Sequence, residues 1–316
     1  MIKTSKGLDI PIVGNPVQQI SSGKSVKTVA VLGADFIGMK PSMLVHVGDK
    51  VAKGQPLFED KKTPGVIFTA PQSGVVREIN RGEKRVFQSL VIEITGQEKH
   101  NFKSFSKKDA ASFSEKDVRD LLIESGAWTF LRTRPFSKSP AIDAKPSSLF
   151  INAMDTHPLA ADPEVIIAER MDDFKFGVSV LSKLAPKTFV VTAPTSKIDV
   201  KSVANVKQES FKGPHPAGNV GTHIHHLDPV SPTKTVWHVN YQDVIAIGYL
   251  FRNGEILSEK VIAISGPMAK NPRLVRTVRG ASIAELLNDE AKEMNQIRYV
   301  SGSVLGGRTA TGPQNY

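Results

Sequence analysis

The sequence predicts a multidomain α/β protein in which a small all-β unit comes first, a parallel-sheet domain follows, and a second strand-rich unit comes last. Three observations predict it. Valine-rich β runs broken by glycines crowd the first hundred or so residues, strand-like and helix-like patterns then alternate, and short β runs return beyond them. The expected units are residues 1–102, 103–255 and 256–316. A chain of 316 residues with 40% hydrophobic content is long enough for two or three cores.

The first unit rests on Val45–Phe58 followed by Ala70–Val76, two short β halves in which glycine marks turns that need positive φ. Its β runs are Val26–Leu32, Leu44–Val47, Gly65–Thr69, Val75–Ile79 and Ser89–Ile94, with turns at Gly38, Gly48, Gly54 and Gly82. The pattern resembles the barrel-sandwich hybrid of biotinyl/lipoyl carrier domains. A carrier presents one modified lysine at the tip, usually between methionines. Here the tip reads Glu59-Asp60-Lys61-Lys62-Thr63-Pro64 without methionine, so Lys61 and Lys62 read as solvated turn lysines of a docking module, an acylated lysine being the alternative.

In the second unit Ser114 N-caps a short helix that stops at Gly126. An extended basic and aromatic loop, Trp128–Lys138, comes next. Strands are expected at Leu149–Met154, Lys187–Thr192 and Trp237–Asn240, and helices at Pro163–Ile167, Phe174–Leu184 and Gln242–Phe251. The alternation points to a Rossmann-like, largely parallel sheet. The third unit offers strands at Val261–Ser265, Leu274–Val278 and Ile297–Val300, with Ser282 and Glu285 in a capping-box arrangement on helix Ile283–Leu287. The last residues, Ser301–Tyr316, form a glycine-rich stretch with no evident closing element, which reads as a truncated chain.

Composition excludes several functions. No window approaches the ~18 apolar residues of a membrane-spanning helix, and the N-terminus lacks a signal-peptide core, so a soluble, cytoplasmic protein is expected. With no cysteine there is no disulfide, thiolate metal site, iron–sulfur cluster or cysteine nucleophile, and any redox centre must be borrowed. A net charge of +10 fits attraction to an anionic surface such as a membrane face or acidic subunits, or a basic solubilising surface. The cations are scattered and no nucleic-acid motif stands out, so nucleic acid is not an expected partner.

The order of these units, together with Phe58-Glu59-Asp60-Lys61-Lys62, Arg132–Lys138, Ala153-Met154-Asp155-Thr156, Gly213–Gly218 and Arg273-Leu274-Val275-Arg276-Thr277, closely resembles the A-subunit family of the bacterial sodium-translocating NADH:quinone oxidoreductases. The resemblance runs from Gly7 to Gly312, and family members carry a further C-terminal region. It implies a β-grasp (SLBB-like) third domain and a peripheral subunit on the cytoplasmic side of the bacterial inner membrane. It also implies five partner subunits, the membrane subunits above all. The complex would oxidise NADH, reduce ubiquinone and export sodium, with flavins, iron centres and sodium path in the other subunits. More distantly, the layout is similar to the C subunit of Rnf complexes and to the flavin and NADH-binding subunit of complex I. Those relatives hold flavin phosphate with a loop of several glycines. Here Glu124-Ser125-Gly126-Ala127-Trp128-Thr129 keeps one glycine and places a tryptophan in it, so neither FMN nor NADH is expected on this chain, nor any covalent cofactor.

What remains is an apolar, aromatic and cationic pocket that suits ubiquinone, whose head group needs a flat apolar slot and one or two donors. Two segments meet that description: Leu32, Phe36, Ile37 and Met39 in the first, and Trp128, Phe130, Arg132, Arg134, Phe136 and Lys138 in the second. The alternative is that the apolar residues are core or barrel seam and the arginines meet acidic partners. His223, His225 and His226, with His215 upstream, have enough imidazole for zinc or copper, yet on an apparent loop without a recognised spacing they read as hydrogen-bonding residues, and no metal is expected. His157 and His238 read as structural. Asp155-Thr156-His157-Pro158 follows a predicted strand and reads either as pocket lining or as a plain cap and turn. No catalytic acid–base or nucleophile set stands out. Three functions are therefore weighed: quinone-site formation with scaffolding, purely structural docking, and a flavin-dependent NADH module.

Overall fold

The computed structural model describes residues 1–105, 112–294 and 296–316. Strand β1 (Ile2–Lys3) lies parallel to Val206–Lys212 in the second domain, and β2 (Val17–Ser22) lies parallel to Arg273–Val278 in the third. The first 22 residues, grouped with the barrel on sequence, thus strap the other two domains.

The barrel consists of β3 (Thr28–Leu32), β4 (Pro41–Met43), β5 (Lys50–Val51), β6 (Pro56–Asp60), β7 (Ile67–Thr69), β8 (Gly74–Arg81) and β9 (Phe87–Ile94). They form two antiparallel sheets, β3-β9-β8-β5 and β4-β6-β7. Val29, Leu57, Phe58, Val66, Leu90 and Ile92 are fully buried between them, and Phe58 stacks on Phe68 at 4.6 Å. Gly48 and Gly54 take φ values of 96° and 89°, the left-handed turns expected of them. Leu44–Val47, expected as a strand, is instead a turn. Only Leu44 reaches another strand, its N–H on the Leu57 carbonyl at 2.9 Å; beyond it the backbone is used locally, with the His46 N–H on the Asp49 carboxylate and the Asp49 N–H on the His46 carbonyl, and only Val45 turns inward. At the tip, Lys61 and Lys62 are exposed, while buried Asp60 accepts the backbone N–H groups of Lys40 and Lys62, each at 2.9 Å.

The second domain runs α1 (Glu115–Glu124), β10 (Arg132–Arg134), β11 (Leu149–Ala153), α2 (Pro163–Glu169), α3 (Met171–Leu181), β12 (Thr188–Thr192), β13 (Val206–Lys212), α4 (Val220–Leu227), β14 (Val236–Asn240) and α5 (Tyr241–Asn253). Ser114 and Asp117 make a full capping box on α1. The sheet order is β1-β13-β12-β11-β14-β10, parallel throughout except for β10. Strand order reverses between β11 and β14, as in Rossmann-like folds. Three expectations are corrected here. The basic loop contains strand β10, which is held antiparallel to β14 despite its two arginines. The histidine loop is helix α4, whose Ile224 packs with Phe150, Phe189 and Phe211 on one sheet face. The helix expected at Phe174–Leu184 begins at Met171 and ends at Leu181, because Lys183 and Leu184 close tight turns onto Val180 and Leu181.

Helices α3 and α5 cross on the opposite face at backbone contact. A Cβ on Gly177 would lie 2.1 Å from the Val244 carbonyl oxygen, and one on Gly248 would lie 1.8 Å from that of Asp173.

The third domain pairs β15 (Glu259–Ile264) with β16 (Arg273–Val278), adds β2, and carries α6 (Ile283–Leu286) and a ribbon of β17 (Val300–Ser301) and β18 (Arg308–Thr309). Of the strand expected at Ile297–Val300 only Val300 pairs, and it does so within this ribbon, which the glycine-rich stretch itself supplies. The Ser282–Glu285 capping box is half made. Ser282 accepts the Glu285 N–H, but the Glu285 carboxylate reaches across to the barrel, taking the Thr28 hydroxyl at 2.8 Å and the backbone N–H groups of Lys27 and Thr28.

The α3–α5 crossing generates the first prediction. Gly248→Ala raises helix propensity by roughly 1 kcal/mol yet drives a methyl into a carbonyl, so urea denaturation should report a net loss of about 1–3 kcal/mol. Unchanged or raised stability would contradict backbone contact there.

Candidate functional site

All three domains meet around a cavity of about 290 Å3. From the barrel, the end of β3 supplies Leu32, the turn after it supplies Asp35 and Phe36, and β7 supplies Phe68. The second domain supplies Gly126, Thr129, Phe130, Arg132, His238 and Asn240, with Asp243 and Ala246 from one side of α5. Leu257, Ser258 and Arg279 come from the third. Two aromatic plates carry cations: Arg132 lies 4.9 Å from the Phe36 ring centroid and Arg279 lies 4.1 Å from that of Phe130. Phe36 meets Phe68 edge-on at 4.6 Å.

An ion cluster braces one wall. The Asp243 carboxylate accepts Arg279 Nη2 at 2.6 Å and Lys260 Nζ at 3.0 Å. Burial alone would raise the Asp243 carboxyl, but the charges and hydrogen bonds of Lys260 and Arg279 outweigh it and hold the group below the ordinary carboxylate range. The Arg279 backbone N–H donates to the Ser258 carbonyl at 2.7 Å, and the Ser258 hydroxyl donates to the Pro71 carbonyl of the barrel.

Among the residues nominated on sequence, the structure brings Leu32, Phe36, Phe130 and Arg132 together in this wall. Trp128 is wholly buried outside the wall, its indole N–H on the Pro140 carbonyl at 2.8 Å and its ring edge-on to Trp237 at 5.5 Å. Arg134 lies outside the wall too, donating from Nε to Nε2 of His238 at 3.2 Å. Met39 packs half-buried against the core. Ile37 and Phe136 are 56% and 76% exposed, and Lys138 is exposed beside Gly38. Phe68, Asp243, Ser258 and Arg279 were not nominated on sequence, and His238, read there as structural, stands in the wall. The one available signal was a carboxylate in the apolar run Tyr241–Phe251, which at a helix N-terminus is unremarkable.

Family models match the chain in three consecutive parts: an NqrA N-terminal barrel-sandwich hybrid domain over residues 2–95, an NqrA second alpha/beta domain over 113–256, and an NQRA C-terminal domain over 261–312. Over its whole length the chain is 53% identical to the A subunit of the Na(+)-translocating NADH-quinone reductase of Histophilus somni (strain 2336), and 55% identical to that of Actinobacillus succinogenes (strain ATCC 55618 / DSM 22257 / CCUG 43843 / 130Z). In each case it covers 71% of the relative. The chain belongs to the A-subunit family of the sodium-translocating NADH-quinone reductases. Among solved structures, a chain of an NAD+-reducing NiFe-hydrogenase in the air-oxidized state is similar with a TM-score of 0.44 and 14% identity, covering 68% of this chain and 48% of its own.

For this member of the NADH-quinone reductase A-subunit family, the segment aligned in expectation with a flavin loop holds Gly126 at φ 75° before a turn that buries Ala127, Trp128 and Thr129. The histidines do not converge: among the described residues no three His, Asp or Glu side chains are placed to hold a metal. His223 donates from Nε2 to the Ala217 carbonyl at 2.8 Å, and burial holds its imidazole down at about 4. His215 pairs with the Thr156 hydroxyl at 3.2 Å. Asp155 bonds Nδ1 of His157 at 2.7 Å, which raises that imidazole, and neither residue reaches the cavity wall. No helix among the described residues is long and apolar enough to cross a membrane.

The ion cluster sets a second prediction. Asp243→Asn strands two cations and should lose about 3–5 kcal/mol in urea unfolding at pH 7. Because the carboxyl is depressed in the fold, its contribution is fully present above the unfolded value of about 3.9 and is lost as pH falls through the folded value. The stability gap between wild type and variant should therefore hold from pH 7 to pH 5 and narrow below about pH 4. A gap unchanged at pH 3 would contradict the ionised cluster.

Proposed function

We propose that this chain forms a quinone site in the sodium-pumping reductase, taking the ubiquinone head group in the three-domain cavity while scaffolding the complex. The observation that carries the reading is the pair of cation-covered aromatic plates, Phe36 under Arg132 and Phe130 under Arg279, facing a cavity whose wall mixes aliphatic side chains with a few polar ones. A volume of about 290 Å3 suits one substituted ring and leaves an isoprenoid tail outside. The chain lies peripherally on the cytoplasmic side of the membrane, where its charge of +10 and the exposed Ile37, Phe136 and Lys138 favour docking onto the membrane subunits among its five partners. Flavin, NADH, iron and sodium chemistry belong to those partners, so the isolated chain has no turnover of its own.

The test is titration of the chain with a short-chain ubiquinone, read by tryptophan fluorescence. Trp128 and Trp237 each adjoin a wall residue in sequence, Thr129 and His238 respectively. Saturable quenching is expected, weakened about tenfold by Phe36→Ala and by the cavity-filling Ala246→Leu. Quenching that is absent, non-saturable or indifferent to both variants would sink the proposal and leave the chain a purely structural docking role.

A further inference from the structure

The polar side chains of the cavity wall are mostly committed already. The hydroxyls of Thr69, Thr129 and Ser258 donate to the carbonyls of Ser125, Gly126 and Pro71, and that of Ser125 donates to Leu122. Arg132 spends its Nη groups on the carbonyls of Thr129, Leu131 and Asp35, and Arg279 gives Nη2 to Asp243. Asn240 caps α5 and is exposed. His238 is different.

His238 pairs in register with Arg132 across the β10–β14 ladder, which puts Arg134 two residues along on the same face. Arg134 Nε donates to His238 Nε2 at 3.2 Å. A guanidinium has no acceptor, so Nε2 must present its lone pair, and a neutral imidazole with that lone pair carries its proton on Nδ1. Burial, reinforced by the charges of Arg134 and Arg132, holds His238 down at about 3, so the ring is neutral at physiological pH. Among the described residues Nδ1 has no hydrogen-bond partner, and it is not among the polar atoms sealed from solvent. On a wall residue, that leaves an uncommitted neutral N–H donor open to the cavity, whereas Arg279 Nε, likewise without a partner, is sealed from solvent.

We infer that His238 is the neutral donor that takes a carbonyl oxygen of the quinone head group, and that Arg134 is the positioning residue that fixes its tautomer. The inference rests on the quinone reading of the cavity. A neutral donor suits a neutral dicarbonyl ring, which has acceptors and no charge to be neutralised. It also gives Arg134 a role although it does not line the cavity.

The experiment combines NMR of [15N]histidine-labelled chain with titrations of 2,3-dimethoxy-5-methyl-1,4-benzoquinone and of 3,4,5-trimethoxytoluene, a similar ring without carbonyl oxygens. The free wild type should show His238 as the Nδ1–H tautomer, and Arg134→Met should move it toward Nε2–H. Quinone should shift the His238 Nδ1–H signal, and the trimethoxy ring should not. His238→Phe should bind quinone about 3- to 10-fold more weakly and lose the preference for it over the trimethoxy ring. If wild type binds no quinone, the quinone reading falls and this inference with it. If wild type binds quinone but His238 does not shift, or His238→Phe keeps its preference, His238 is not the donor while the quinone reading stands. An Nε2–H tautomer in wild type would overturn the role given to Arg134.

Discussion

Asp243 sits in the first turn of α5 with Arg279 at 2.6 Å and Lys260 at 3.0 Å, both cations contributed by the third domain. A mostly buried carboxylate between two cations tolerates little displacement, because moving either domain would leave a charge unpaired in a poor solvent. The cluster therefore sets the position of β15 and of the turn after β16 against α5, and with it the place of Arg279 over Phe130. The barrel is tied to the same turn, Ala30 donating to the Gly280 carbonyl at 2.8 Å and Ser258 to Pro71. Glu285 on Thr28 adds a second tie, and the β1 and β2 straps close the arrangement. A cavity lined by three domains can keep a defined shape only when the domains are fixed in this way.

Local pattern was enough where a segment's neighbours lie close in sequence. The barrel strands alternate and turn at Gly48 and Gly54, where positive φ is required, and α1 announces itself with Ser114 and a glycine stop. Elsewhere a stronger chemical signal masked the structural one. The crowded histidines of α4 drew attention as possible ligands, yet His223 and His226, three apart, both flank Phe211 as helical spacing would place them. β2, Val-Gln-Gln-Ile-Ser-Ser, and β13 are polar strands, and β2 takes its partner from the distant Arg273–Val278, so alternation alone could not find them.

The same distinction governs the site. The two nominated segments were chosen for residue type, and the fold sorts their side chains by direction: Phe36, Phe130 and Arg132 line the cavity, while Ile37 and Phe136 are exposed and Trp128 backs the core. His238, Asp243 and Arg279 could not be gathered from sequence, since nothing local relates a mid-strand residue, a helix start and a β-turn 36 residues beyond that start. Family membership and site chemistry accordingly rest on different footings. The first rests on matched phrases along the whole chain, and the second on what the domain junction assembles.

A crystal structure of the chain soaked with a short-chain ubiquinone tests the central claim most directly. Ring density is expected between Phe36 and Phe130 with one carbonyl oxygen within hydrogen-bond reach of His238. Density only outside the three-domain cavity, or none in a lattice that leaves the cavity open, would contradict it.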